Sequence, residues 1–331
     1  MRRRDFIKII TGMAASWPLT ARAQQPDRVR RIGVLMGYPE NDLEGPAFFA
    51  AFREGLQKLG WVEGRNIHLD TRWASPDDAE ARQRFAKELV ALQPDLILSS
   101  VTPTTAALLQ HTRTIPIVFA TVTDPVGSGF VASLAQPGGN VTGFQAWEAS
   151  LGGKWLELLK EIAPRVTRVA MLFNPSVAPY AESFLNSFKA AASSFAVEPI
   201  AAPVRDTSSL ESTIVAQALA PNGGLIVVPD TFTDVHRAEI ISLAARSGLP
   251  AVYPRRPFTE LGGLLSYGTD QFDTYRRAAT YVDRILKGEK PSGLPVQTPV
   301  KFELVINLKT AKALGLNIPV ALQQRADELI E

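Results

Sequence analysis

Arg31-Ile32-Gly33-Val34-Leu35-Met36-Gly37 is a short, almost uninterrupted apolar run, and residues 45–59 follow it with Phe48, Phe49, Phe52 and Leu56 on one helical face. An apolar run without alternation is the pattern of a strand covered on both sides, and the 3.6-residue spacing after it is that of a helix packed on the sheet. The same succession repeats down the chain. Strands are predicted at Asn66–Trp73, Asp95–Ser99, Pro116–Ala120 and Val141–Phe144, with helices at Pro76–Leu92, Thr102–His111 and Val126–Leu134 between them. Strands alternating with helices build a parallel sheet with helices on both faces. Pro137-Gly138-Gly139-Asn140 reads as a tight turn.

A second run of the same kind begins near Trp155. Helices are predicted at 154–162, 177–195, 208–219 and 232–246, with strands at Arg168–Phe173, Val197–Pro203, Gly224–Val228, Pro250–Tyr253 and Gly263–Tyr267. A helix over Phe272–Leu286 comes next, then an extended segment from Leu294 to Asn307 and short helices at 308–315 and 320–330. The fold class is therefore α/β: two doubly wound parallel-sheet lobes joined by a hinge that the chain crosses several times. Residues 28–145 with 268–293 are assigned to the first lobe, and 146–267 with 294–331 to the second. Ligands of open α/β sheets sit outside the carboxyl ends of the strands, so two facing lobes make a cleft that closes by hinge motion.

The 331 residues contain no cysteine. This excludes a disulfide framework, a thiolate metal site, a cysteine nucleophile and a lipid anchor on an N-terminal cysteine. The formal charge of +2 is unevenly spread. Arg2, Arg3, Arg4, Lys8 and Arg22 against Asp5 give residues 1–23 a charge of +4, which leaves −2 for the remainder. That remainder has no basic stripe, so nucleic acid is not an expected partner. A basic start, a short apolar middle and Ala21-Arg22-Ala23 make residues 1–23 a signal peptide, with cleavage before Gln24. Arg3-Arg4 with Phe6 and Lys8 has the form of a twin-arginine signal. The expected product is a protein exported to the periplasm, soluble and without a lipid anchor.

Catalytic patterns are missing. No Gly-x-Gly-x-x-Gly follows the first strand, Gly152-Gly153-Lys154-Trp155 lacks the phosphate-loop spacing, and Gly127-Ser128-Gly129 is not a nucleophile elbow. Ser128 reads as a helix cap. His68, His111 and His236 stand far apart in sequence, without the spacing of a metal pair. No catalytic residue, metal or cofactor is assigned. The unusual feature is the strand-end loops, which are rich in hydroxyls, aromatics and a few acids: Tyr38, Thr102 to Thr105, Thr121 to Asp124, Asn174 to Ser176, Asp230 to Thr233 and Tyr253. Convergence of such groups on one cleft is the mark of a small-molecule site.

Asp124-Pro125-Val126-Gly127-Ser128-Gly129, continuing through Leu134 to Gly143, resembles the signature of a group of extracellular solute-binding proteins that serve ABC importers. Gly60-Trp61-Val62-Glu63-Gly64-Arg65-Asn66-Ile67, Gly262 to Gly268 and Lys301 to Ala311 resemble the same group, and the likeness spans the chain after the signal. The resemblance implies the type I periplasmic-binding-protein fold, no catalysis, a small-molecule ligand such as an aromatic amino acid, and a membrane permease as partner of a monomeric binding protein. It carries the ligand loops over as Thr102–Thr105, Thr121–Asp124, Asn174–Ser176 and Asp230. On this reading Thr102, Thr104 and Thr123 hold a carboxylate and Asp230 meets an ammonium. Tyr38, Phe232 and Tyr253 form the apolar wall, and Asp124, Asn174 and Ser176 complete the ligand set. A periplasmic sensing domain that signals to a membrane receptor, or an α/β enzyme, are the alternatives.

Overall fold

The computed structural model describes residues 28–331; residues 1–23, expected from the sequence to be a signal peptide, and the expected cleavage before Gln24 lie outside them. The first sheet is β1 (Arg30–Met36), β2 (Ile67–Trp73), β3 (Leu96–Val101), β4 (Ile117–Thr123) and β5 (Val141–Trp147), all parallel, in the order β2-β1-β3-β4-β5. Helices α1 (Glu44–Lys58), α2 (Ala79–Ala91) and α3 (Thr102–Leu109) connect them. The second lobe opens with α4 (Leu151–Ile162) and continues through β6 (Arg168–Phe173), α5 (Ala181–Ala192), β7 (Glu198–Pro203), α6 (Thr207–Leu219) and β8 (Gly223–Val227). Then come α7 (Thr231–Val235), α8 (Arg237–Arg246), β9 (Ala251–Tyr253), α9 (Arg256–Glu260) and β10 (Leu265–Thr269). Helix α10 (Gln271–Leu286) precedes β11 (Phe302–Asn307), α11 (Leu308–Ala313), α12 (Val320–Arg325) and β12 (Glu328–Ile330). The second sheet runs β12-β11-β10-β9-β8-β6-β7 and is parallel except where β11 pairs antiparallel with β10.

The apolar pattern explains the packing. Strand β1 buries Ile32, Val34 and Met36 against Phe48, Phe52 and Leu56 of α1, and Tyr275, Ala279 and Val282 of α10 close the same core. Thus α10 packs on the first lobe although it follows a strand of the second. The chain passes between sheets after β5, after β10 and after the segment that ends at Gln297. That last segment lies along the first sheet: Gln145 N–H donates to the Gln297 carbonyl at 2.8 Å, and Gln297 N–H to the Gly143 carbonyl at 3.0 Å. The three crossings therefore fall two to four residues beyond the boundaries read from sequence, because β5, β10 and the 294–297 segment extend their pairing toward the hinge.

Four expectations need correction. Residues 126–134 form turns rather than a helix. Asp124 takes the left-handed conformation at φ 47°, accepts the Gly127 N–H at 2.8 Å, and is followed by Gly129 at φ 69°. A helix cannot propagate through that geometry, and Ser128 caps none. The helix expected over 232–246 divides at His236 into α7 and α8. The tail helix ends at Arg325, and Glu328–Ile330 instead pair with β11, held by Asp327 accepting the Leu304 N–H at 2.8 Å. Helix α9, opened by Pro257 in its first turn, was not foreseen.

Gly268, next to the second crossing, is fixed by contact. A Cβ there would stand 1.8 Å from the Pro254 carbonyl oxygen and 2.8 Å from the Trp147 ring. Gly268→Ala should cost about 1–3 kcal/mol, as overpacked positions do, seen as a lowered melting temperature; an unchanged melt would show that β9 and β10 are not held this closely.

Candidate functional site

The carboxyl ends of the parallel strands of both sheets face one another, and the loops leaving them line a narrow cavity of about 20 Å³. That is room for about one water molecule and far below the roughly 300–1,000 Å³ typical of small-molecule sites, so a ligand can enter only when the lobes part. The first lobe contributes Tyr38 after β1, Thr102 and Pro103 at the start of α3, Thr121 and Thr123 of β4, and Trp147 at the end of β5. The second contributes Val177 and Tyr180 ahead of α5, then Asp230, Thr231 and Asp234 around α7. Gln271, the first residue of α10, closes it at the hinge.

Each loop is held by its own hydrogen bonds. Thr104, third residue of α3, donates its hydroxyl to the Val101 carbonyl at 2.8 Å and accepts the Val101 N–H at 3.0 Å. Thr102 Oγ1 accepts the Thr123 N–H at 3.0 Å, and Thr121 donates to the Ser100 carbonyl at 2.7 Å. These threonines knit β3, β4 and α3 together, so their hydroxyls are already engaged. Tyr180 donates its hydroxyl to the Pro229 carbonyl at 2.8 Å and turns its ring toward the cavity wall.

Asp230 is the focal group. It is 4% exposed, accepts the Thr233 N–H at 2.7 Å as the cap of α7, and accepts the Asn174 N–H at 2.9 Å. Among the described residues it makes no ion pair. Burial raises its pKa to about 7, against the two backbone donors that favour the ionised form. A buried carboxylate without a counter-charge, lining a cavity, is a functional-site candidate. The Gln271 Oε1 atom, from another residue of the same lining, is likewise buried and without a hydrogen-bond partner among the described residues.

Asp234 differs, because its charge is met. Arg255 Nη2 lies 2.8 Å from Asp234 Oδ1, and its guanidinium also grips both oxygens of Glu44 at 2.7 and 2.8 Å. Arg237 Nη1 stands 3.3 Å from Glu44 Oε2, and Tyr38 donates its hydroxyl to Asp234 Oδ2 at 3.3 Å. Glu44 and Tyr38 belong to the first lobe; Asp234, Arg237 and Arg255 belong to the second. The buried cluster therefore ties the lobes together beside the cavity.

Of the residues read from sequence, Tyr38, Thr102, Thr123 and Asp230 line this cavity. Asp124 and Ser176 line an adjoining chamber. Asn174 contributes its backbone N–H to Asp230 and turns its side chain back onto the Ser176 N–H at 2.9 Å. Thr104 is spent on capping α3. Phe232 and Tyr253 are 1% and 2% exposed in the core behind the loops, where Tyr253 stacks on Phe258, so they form no part of the wall. The aromatic wall is instead Tyr38, Trp147 and Tyr180. Trp147 and Gln271 sit at hinge crossings, where no local pattern announced them. Among the described residues there is no cluster able to hold a metal ion and no helix long and apolar enough to cross a membrane.

A family model described as ABC transporter substrate binding protein matches residues 43–330. A tyrosine-binding protein of Clostridioides difficile is 28% identical over 290 residues, covering 87% of this chain and 81% of the relative. The solved ABC domain from a pneumococcal Streptococcus in complex with L-Trp is 27% identical, covers 91% of this chain and 99% of its own, and superposes with a TM-score of 0.83. A ligand-free, open substrate-binding protein with adhesive properties from Clostridium difficile, 25% identical, covers 91% and 99% with a TM-score of 0.67.

Proposed function

The chain belongs to the ABC transporter substrate-binding protein family, with its type I periplasmic-binding-protein fold of two α/β lobes, and from that premise we propose that it captures an aromatic amino acid between its lobes and delivers it to an importer. Members of this family are binding components of transport, not enzymes. The observation that carries the ligand reading is Asp230: a buried, uncompensated carboxylate that shares the lining of one cavity with Gln271, whose Oε1 atom is unpartnered, and with Tyr38, Trp147 and Tyr180. The two acceptors suit an ammonium and the rings suit an aromatic side chain. The relatives support the same reading, one being named for tyrosine and one solved with L-Trp.

The partner is a membrane permease, the working form is a monomer in the periplasm, and nucleic acid plays no part in its role. The segment of residues 1–23 supplies the export signal. Calorimetric titration against the twenty amino acids and a set of monosaccharides tests the proposal. L-Tyrosine, L-tryptophan or L-phenylalanine should bind most tightly. Tight binding of a sugar, with none of these amino acids bound, would overturn it.

A further inference from the structure

The inner cavity has two acids on its walls and no lysine or arginine, so the carboxylate of an amino acid finds no countercharge there. The Thr102 and Thr121 hydroxyls on its wall are bound to neighbouring backbone. The cavity continues past Thr102, Pro103 and Tyr180 into an outer chamber of about 370 Å³, open to solvent, between α2, α3 and the 124–130 turn on one side and residues 176–183 on the other. Arg82, in the first turn of α2, lines that chamber.

Arg82 is unusual among the arginines. Three are 9% exposed or less among the described residues: Arg82, Arg237 and Arg255. Arg237 and Arg255 both meet carboxylates. Arg82 makes no ion pair there, and its single hydrogen bond is a long one, from Nη1 to the Pro76 carbonyl at 3.4 Å. Asp78, the acid nearest in sequence, spends its carboxylate on the Ala81 N–H at 2.7 Å. Burial accordingly lowers the Arg82 pKa, with Asp78 only partly opposing. A buried guanidinium has a fixed fork of donors that matches a carboxylate, and this fork faces a chamber rather than a partner.

We propose that Arg82 is the carboxylate receptor of the site, so that the ligand lies with its ammonium inward at Asp230 and its carboxylate outward in the chamber beneath α2. The assignment rests on the amino-acid reading of the inner cavity. It also defines the ligand class more closely: free amino acids bind, and their amides or decarboxylated amines are rejected.

The test pairs two ligands with three proteins. Wild type should bind L-tyrosine about ten- to a hundredfold more tightly than L-tyrosinamide, as loss of a charged hydrogen-bonded partner implies. Arg82→Gln should bring L-tyrosine down to the affinity of the amide while leaving amide binding unchanged. Arg82→Lys, which keeps a cation, should retain part of the preference. Full discrimination by Arg82→Gln, or no discrimination by wild type, overturns the assignment. Should wild type bind no aromatic amino acid, the ligand reading falls first, and the chamber is judged by sulfate at constant ionic strength. Sulfate should then raise the melting temperature of wild type but not of Arg82→Gln; equal responses would overturn the anion site. If Arg82→Gln does not fold, the wild-type and Arg82→Lys comparisons of acid with amide decide the matter in the same terms.

Discussion

Replacement of Arg255 by methionine should loosen the two lobes and weaken ligand binding more than any substitution in the cavity wall. Arg255 is 4% exposed and holds Glu44 through two short hydrogen bonds and Asp234 through a third contact. Burial works against its charge, but Asp234 and Glu44 outweigh that and hold its pKa well above the usual arginine value. Removing one partner from a buried pair leaves the other charges desolvated, at a cost of about 3–5 kcal/mol. Here the chain has a way to relieve that cost, because Glu44 is on the first lobe and Arg255 on the second: the lobes separate and water reaches the acids. Binding that requires the closed arrangement then weakens in proportion to the lost closed population, by about a hundredfold or more. Small-angle scattering of the apo variant should give a larger radius of gyration than wild type. Glu44→Gln should act in the same direction from the other lobe, and the double variant should be less than additive. A variant with unchanged dimensions and affinity would show that the cluster is not what holds the lobes together.

Asp230→Asn should weaken aromatic amino acid binding by about ten- to a hundredfold and should also flatten its pH dependence. The carboxyl has an ordinary value of 3.8 and is raised to about 7 in the fold, chiefly by burial. The folded apo protein therefore holds a proton that the unfolded chain has lost between about pH 4 and 7, and apo stability from this group falls as pH rises through that window. Binding of an ammonium needs the ionised form, so affinity should climb with pH, by at most tenfold per unit, and level off above about 7. Asparagine removes both trends. It still offers an acceptor to the Thr233 N–H but places a donor against the Asn174 N–H, so melts of the apo proteins must accompany the titrations. A lowered melt with wild-type affinity would make Asp230 a cap of α7 and nothing more.

Much of this arrangement was legible in the chain because it is periodic. The run from Ile32 to Met36 and the spacing of Phe48, Phe52 and Leu56 specify a buried strand and the helix that covers it, and the core of the first lobe contains those side chains. The 126–134 segment was misread because its apolar residues were counted while Gly127, Gly129 and the left-handed Asp124 decided the backbone. Loops at strand ends could be found by composition, and Tyr38, Thr102, Thr123 and Asp230 do line the cavity. Composition could not separate a threonine that faces the cavity from one that caps a helix. Thr104 had a readable sign, its place three residues after Val101 at the start of α3. Trp147, Gln271 and the pairing of Glu44 with Arg255, 211 residues apart, arise only when the crossings bring the lobes together. No local pattern encodes that.

A crystal structure of the protein grown with L-tyrosine tests the central claim most directly. The account predicts density between the lobes, with the ammonium in hydrogen-bond contact with Asp230, the ring against Tyr38, Trp147 and Tyr180, and the carboxylate directed toward Arg82. A ligand bound elsewhere on the molecule, or one whose ammonium points away from Asp230, would contradict it.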